Sequence, residues 1–387
     1  MLRTVAVANY RSLRHLVVPL DDLTIVTGAN GTGKSSLYRA LRLLADCARG
    51  EVIRSLAREG GMPSTMWAGP EKISREMRTG EHPVQGTRRS DPVNVRMGYA
   101  SDEFGYLIDL GLPPPVPTTM FALDPEVKRE AIWSGPILRP GTWLADRRNE
   151  MVRVRDDDGA WHHLAQGLRP FESMLAELTD PARAPELLAI REQVRSWRFY
   201  DQFRTDQDAP ARQSHIGTRT MVLSDEGADL AAALQTIREV GFDDALNSAI
   251  EHAFPGSRLG IRRAEDGRLD VEFHQHGLLR PLSAAELSDG TLRYLLWTAA
   301  LLTPRPPELM VLNEPETSLH PDLLRALAEL IVKASESTQV VVVSHSRQLI
   351  EEIGAPGTRI ELVKDMGETR IAGLERFDGP AWNWGTR

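Results

Sequence analysis

The stretch LTIVTGANGTGKSSLYRALRLL, Leu23 to Leu44, constrains this chain more than any other. Its centre, Gly28-Ala29-Asn30-Gly31-Thr32-Gly33-Lys34-Ser35, fits the pattern G-x-x-x-x-G-K-[ST]. Context decides whether such a turn means anything. Here the apolar run Leu23 to Thr27 reads as a strand before the loop. After it, Leu37, Leu41, Leu44 and Ala48 recur at helical spacing from Lys34 to Arg49, so one helix face packs on a sheet. Arg49-Gly50 supplies a C-terminal cation and a glycine stop. Glycines in such a loop let backbone N–H groups turn inward around phosphate oxygens, and the helix N-terminus adds partial positive charge. Asn30, Gly31, Thr32, Gly33, Lys34, Ser35 and Ser36 are therefore the expected phosphate-binding residues. Lys34 would bridge the β- and γ-phosphates, and the Ser35 hydroxyl would bind Mg²⁺.

The last third of the chain also reads as α/β. Leu287-Ser288-Asp289-Gly290-Thr291 opens an amphipathic helix running to about Leu302. Ser288 can cap it, and Asp289 suits its positive end. The strand Leu309 to Leu312 follows and ends at Asn313-Glu314-Pro315. A helix from Pro321 to Ser335 leads to the strand Thr338 to Val343, after which comes Ser344-His345-Ser346. Strand ends on one side of a parallel sheet meet at the ligand crevice, which puts Asn313, Glu314 and His345 among the candidates.

These residues carry a resemblance. GANGTGKSS, LSDGT, LMVLNEPETSLHP and VVVSHS stand in the order found in ABC-type ATPases, specifically the RecF- and SMC-like branch, and ANYRSL, with Arg11 after an aromatic, looks like that branch's first strand. The likeness covers roughly the first 50 and the last 110 residues. It implies a P-loop NTPase of α/β class: an ABC-type head with a mixed sheet, an antiparallel β subdomain and a compact α+β lid insertion. The expected divisions are an N-terminal lobe over 1–135, the insertion over 136–275 and a C-terminal lobe over 276–387. In the family two heads sandwich two ATP molecules. The resemblance therefore implies an ATP-driven homodimer in which Ser288 and Gly290 touch a neighbour's γ-phosphate. Glu314 would be the general base, His345 the γ-phosphate sensor, and Ser318, Leu319 and His320 the loop crossing the dimer interface. Lys34, Glu314 and His345 are thus the expected catalytic set, Arg11 a nucleotide-binding residue, and ATP and Mg²⁺ the cofactors. The glutamine of the family's Q-loop stays open between Gln85 and Gln166.

One position departs from the family. Asn313 stands where an aspartate is expected before Glu314. In related proteins that aspartate holds a Mg²⁺-bound water, so Ser35 and Asn313 form the expected metal set. Asparagine keeps an acceptor oxygen and loses the charge. Losses of this kind typically cost about 10–100-fold, which predicts a slow, Mg²⁺-demanding ATPase.

Between the two motif groups the sequence predicts hairpins at Val93–Gly111, at MVRVRDDDGAWHHL and at Leu259–Gln275. Helices are expected near Phe171–Leu178, Pro185–Phe203, Ala228–Val240 and Asp243–Phe254, a stiff proline connection at Pro113–Pro117, and a last hairpin around Asp365-Met366-Gly367. No heptad run is long enough for a coiled-coil arm. Lys34 and Ser288 are about 250 residues apart, which argues against a transporter subunit. The net charge of −8 gives no general attraction to nucleic acid, so DNA binding would need a local patch. The candidates are Arg147/Arg148, the Arg195-Arg198-Arg204 series and Arg262/Arg263. A single cysteine, Cys47, excludes an internal disulfide and fits a reducing cytoplasmic setting, and no apolar stretch is long enough to span a membrane. His162-His163 and the pair His274, His276 lack the carboxylates or cysteines of a metal site. The leading expectation is an ATP-driven switch in DNA repair or genome maintenance, with DNA or a separate effector as further partner. Two alternatives stand beside it: a regulatory subunit controlling a nuclease or toxin in a defence system, and a nucleotide-binding protein with little hydrolysis.

Overall fold

A computed structural model describes residues 1–71, 74, 76, 77, 81, 93–114, 119–374 and 379–385. The chain divides into two compact units, one of residues 1–21, 27–197 and 360–387, the other of residues 22–26 and 198–359.

The first unit is built on an antiparallel sheet. Strands β1 (Leu2–Tyr10) and β2 (Leu13–Pro19) form the opening hairpin, and β3 (Leu23–Gly28) carries the chain into the phosphate loop. Next come β4 (Val95–Ser101), β5 (Phe104–Gly111), β6 (Glu126–Ser134), β7 (Trp143–Arg148), β8 (Met151–Arg155) and β9 (Trp161–Gln166). The sheet order is β2-β1-β4-β5-β6-β7-β8-β9, with every neighbouring pair antiparallel. Helix α1 (Lys34–Arg49) is 16 residues long and packs against β1 and β4. It also meets α2 (Val52–Arg58), α4 (Met174–Glu177) and α5 (Pro185–Ser196); the one-turn α3 (Met62–Thr65) follows α2. Its apolar stripe Leu37, Leu41, Leu44 and Ala48 is buried, as is Cys47, and Gly50 ends it as expected.

Strands β6 and β7 escape a reading by alternation because their inward positions include charges. Glu130 and Arg147 are fully buried and paired at 2.8 Å. Glu130 also accepts from Tyr106 Oη (2.6 Å), Ser173 Oγ (2.5 Å) and the Met174 N–H (2.7 Å). Arg147 donates to the carbonyls of Asn149, Arg169 and Glu172. This is a saturated buried ion pair, and burial together with the Glu130 charge pushes the Tyr106 phenol well above its usual range.

The second unit holds the parallel strands. In chain order they are β10 (Arg198–Tyr200), then the small antiparallel group β11 (His215–Ile216), β12 (Arg258–Arg263), β13 (Arg268–His274) and β14 (Leu282–Ser283), then β15 (Leu309–Asn313) and β16 (Gln339–Val343). Strands β10, β15 and β16 pair in parallel, and residues 23–26 of β3 join β16. The run VVVV of β16 is buried on both faces, as a central parallel strand requires. Helices α6 (Leu230–Ile237), α7 (Asp243–Ala253), α8 (Asp289–Leu301), α9 (Pro321–Ser335) and α10 (Arg347–Ile353) pack with these strands into one apolar core.

One expectation changes here. The helix predicted over Pro185–Phe203 stops at Ser196, and Arg198–Tyr200 is a strand. Neither glycine nor proline marks the break; the aromatic run Trp197, Phe199 and Tyr200 prefers a sheet, and its side chains are buried. The proline connection at Pro113–Pro117 falls partly outside the described residues. Among the described residues α1 is the longest helix, so none forms a coiled-coil arm, and no helix is long and apolar enough to cross a membrane.

Candidate nucleotide site

In the first unit the phosphate loop is held from behind. Gly28, Gly31 and Gly33 have φ of 146°, 79° and 108°, a region that L side chains rarely adopt. At Gly28 a Cβ would meet Leu362 O at 2.3 Å, and at Gly33 it would meet Thr369 Oγ1 at 2.3 Å. Thr369 Oγ1 donates to Thr32 O (2.7 Å) and accepts from Ser12 Oγ (2.8 Å), so a threonine on the C-terminal hairpin props the loop. Thr32 Oγ1 donates to Ala29 O at 2.8 Å. Lys34 is buried and folds over the loop, its Nζ donating to Gly28 O (2.6 Å) and Ala29 O (3.1 Å). Helix α1 starts at Lys34 with no side-chain cap, which leaves its first N–H groups to an anion. Asn30, Gly31 and Ser35 are exposed and Ser36 is half-buried. Arg11 has φ 50° and pairs with Glu59 at 2.6 Å, which also accepts from Tyr10 Oη. That pairing raises the Arg11 pKa against the opposing effect of burial.

In the second unit three motifs end in one row. Val26 of β3 pairs with Val343 of β16, which pairs with Asn313 of β15. The chain leaves this row directly into the phosphate loop, into Ser344-His345 and into Glu314. Glu314 sits at φ 49°, rare for a residue with a side chain, fixed by its N–H on Val343 O (2.7 Å) and by Thr317 N–H on its carbonyl (3.0 Å). His345 Nδ1 lies 3.6 Å from Glu314 Oε1 and 3.5 Å from Glu316 Oε1. Ser288 caps α8 by accepting from Thr291 N–H at 3.1 Å, and its hydroxyl also bonds Thr291 Oγ1 at 2.8 Å. Arg212 fastens the same corner, reaching Asp289 Oδ1 and Leu287 O at 2.7 Å each. Gly290 lies where a Cβ would come within 3.4 Å of Ser318 O. Ser318 is itself at φ 61°, Leu319 is half-buried, and His320 caps α9. Arg293 ties α8 to this turn through Thr317 O at 2.6 Å.

Three residues here were not singled out from sequence. Glu316 is buried, and its Oε1 accepts from Ser344 Oγ (2.7 Å) and from the N–H groups of His345 and Ser346 (3.1 Å each). It fixes the loop that presents His345, and the repeated acid in NEPE was its only signal. Asp201 and Gln202 follow β10, where a helix was expected. Asp201 Oδ1 accepts from Asn313 Nδ2 at 2.7 Å. Of the open Q-loop candidates, Gln85 lies outside the described residues and Gln166 is exposed at the end of β9.

The donor chemistry fits a magnesium nucleotide. Lys34 and the glycine turns suit phosphate, the exposed Ser35 hydroxyl suits a hard cation, and Asn313 Oδ1 is buried without a hydrogen-bond partner. The basic candidates fare differently. Arg147 is buried on Glu130 and so belongs to no surface patch, and Arg148 turns to Asp146 (3.3 Å). Of the Arg195-Arg198-Arg204 series, Arg198 lies in a strand and Arg204 pairs with Asp206 at 2.8 Å. Arg262 is engaged by Asp270 (2.7 Å) and Glu272 (3.3 Å). His162 is bonded to Asp156 at 2.5 Å.

Comparison with known proteins agrees with the geometry. A family model described as "AAA domain, putative AbiEii toxin, Type IV TA system" matches residues 164–351, and one described as "AAA ATPase domain" matches residues 1–58. No curated protein matches the chain. An SMC head bound to the C-winged helix domain of ScpA superposes with a TM-score of 0.51 at 13% identity, covering 97% of this chain and 98% of that one. An SMC head with an extended coiled coil, bound to the C-terminal domain of ScpA and derived from Pyrococcus furiosus, gives 0.50 at 12% identity and covers 96% of each chain. At such identities the likeness is one of fold. The fold and the phosphate loop together define a P-loop ATPase head. Over separate parts of the chain the two family models make it similar to AAA-type ATPase domains, and its fold is similar to that of SMC heads.

Proposed function

We propose that this protein binds ATP with Mg²⁺, hydrolyses it slowly, and uses the cycle as a switch between open and closed states of a head-to-tail homodimer. The observation that carries the reading is the row Val26–Val343–Asn313, from which the chain runs on into the phosphate loop, Ser344-His345 and Glu314. Residues Asn30 to Ser36 hold the phosphates, with Lys34 on the γ-phosphate side and Ser35 and Asn313 serving Mg²⁺. Glu314 activates the attacking water and His345 senses the γ-phosphate. Ser288 and Gly290 act on the ATP of the second copy, and Ser318, Leu319 and His320 cross to it. Arg11 contributes from the first hairpin by exchanging Glu59 for the nucleotide. Gln202 takes the Q-loop place, because it follows the strand next to β15. The chemistry is positioning and charge stabilisation.

Glu314→Gln should bind ATP yet fail to hydrolyse it, and so accumulate a dimer. Size-exclusion chromatography with light scattering, with ATP and Mg²⁺, reads this directly. Lys34→Ala serves as the non-binding control. A Glu314→Gln chain that stays monomeric with bound ATP would end the dimer reading.

The downstream role proposed first is genome maintenance, with DNA as partner. A second reading, control of a partner toxin or nuclease, is favoured by the toxin system named in the matching family and by the intramolecular pairing of the basic candidates. Nucleotide-dependent DNA binding that weakens with salt supports the first; co-purification of an effector supports the second.

A further inference from the structure

The sequence leaves Asn313 as a missing charge. Its surroundings supply one. Strand β10 pairs with β15 through Tyr200 and Leu312, so the next residues, Asp201 and Asn313, are neighbours at the strand ends. Asn313 Nδ2 donates to Asp201 Oδ1 at 2.7 Å, and the Gln202 N–H donates to the same oxygen at 3.0 Å. An ionised carboxylate only accepts, which fixes the amide orientation: NH₂ toward Asp201, carbonyl oxygen away from it. That carbonyl oxygen, Asn313 Oδ1, is the buried atom without a partner. A carboxylate bonded behind an amide polarises it and raises the negative potential at the oxygen in front.

We propose that Asp201 and Asn313 together replace the single aspartate expected at the end of β15. Asp201 supplies the charge, and Asn313 presents the oxygen to Mg²⁺ or to a water bound to it. Asp201 is a positioning residue acting through Asn313, not a ligand. The inference rests on the proposed role of Asn313 at the nucleotide's metal.

The test uses Mn²⁺ as a spectroscopic probe, titrated by electron paramagnetic resonance into the full chain saturated with a slowly hydrolysed ATP analogue. Asp201→Asn should weaken Mn²⁺ binding by about 10–100-fold, the usual effect of removing an outer partner of a metal ligand. Analogue affinity measured in EDTA should stay unchanged. The exchange Asp201→Asn with Asn313→Asp should restore Mn²⁺ binding, because it returns one charge to the pair. Asn313→Asp alone should gain less than the exchange, because it sets two carboxylates against each other. Unchanged Mn²⁺ affinity in Asp201→Asn, or no rescue by the exchange, overturns the inference and leaves the ATPase reading standing. Failure of the wild-type chain to bind the analogue in the presence of Mg²⁺ overturns the ATPase reading, and the inference with it.

Discussion

Glu316 shows how much one side chain decides at this site. Its Oε1 gathers a hydroxyl and two backbone N–H groups from the turn after β16. Removing it takes the shared acceptor from a buried hydroxyl and two part-buried N–H groups, a cost of about 1–3 kcal/mol for an unsatisfied group. Glu316→Ala should therefore lower stability by that order in urea unfolding. It should also depress turnover, because the segment carrying His345 loses its anchor. Glu316→Gln keeps an acceptor oxygen and should lose less of both; equal losses in the two variants would show that the charge, not the hydrogen bonds, matters. The same scale revises the meaning of Asn313. From sequence, Asn313→Asp looks like a simple repair that raises turnover. With Asp201 Oδ1 at 2.7 Å from Asn313 Nδ2, the repair brings two carboxylates together, so the single substitution is a poor test of what Asn313 costs.

At the scale of elements, the phosphate loop depends on a hairpin far away in sequence. Thr369 closes on Thr32 O and Ser12 Oγ, and that closeness is what forbids a side chain at Gly33. Gly33→Ala meets both a left-handed φ and the Thr369 hydroxyl. Such backbone strain costs about 1–3 kcal/mol. Titration with a fluorescent nucleotide should show a loss of affinity of about 10-fold or more, since 1.4 kcal/mol is a factor of ten. The far-UV circular dichroism should be unchanged. Thr369→Val keeps the shape but removes the hydroxyl, and should weaken binding in the same direction by a smaller factor. Strand β10 illustrates the opposite case, where an element was misread. Its three residues follow a helix without a glycine or proline stop, so the local pattern continued the helix through Asp201 and Gln202. Only pairing with β15 makes it a strand, and that pairing is what brings Asp201 to Asn313.

At the scale of the molecule, each unit has a different kind of interior. The second unit packs around one large apolar cluster to which β15 and β16 contribute, with Arg293 and Glu316 buried beside it. The first buries the Glu130–Arg147 pair with both side chains at 0% exposure. Breaking such a pair by removing one partner costs about 3–5 kcal/mol, because the other charge stays buried and unpaired. Glu130→Ala should therefore lower the unfolding free energy obtained from urea titration by that order, while Arg148→Ala, at an exposed position, should change it little. The chain's sequence alone determined the phosphate loop, α1, α8, α9, β15 and β16, and the order of the motifs. These are short-range patterns: a glycine spacing, an apolar stripe, a cap before a helix, a β-branched run. Tertiary structure alone decided β6, β7 and β10, the burial of Arg147, the grip of Glu316 on the histidine turn, and the pairing of Asp201 with Asn313. Each of these depends on partners far apart in the chain. A charge reads as surface until its buried counter-charge is known, and a strand of three residues has no period to read.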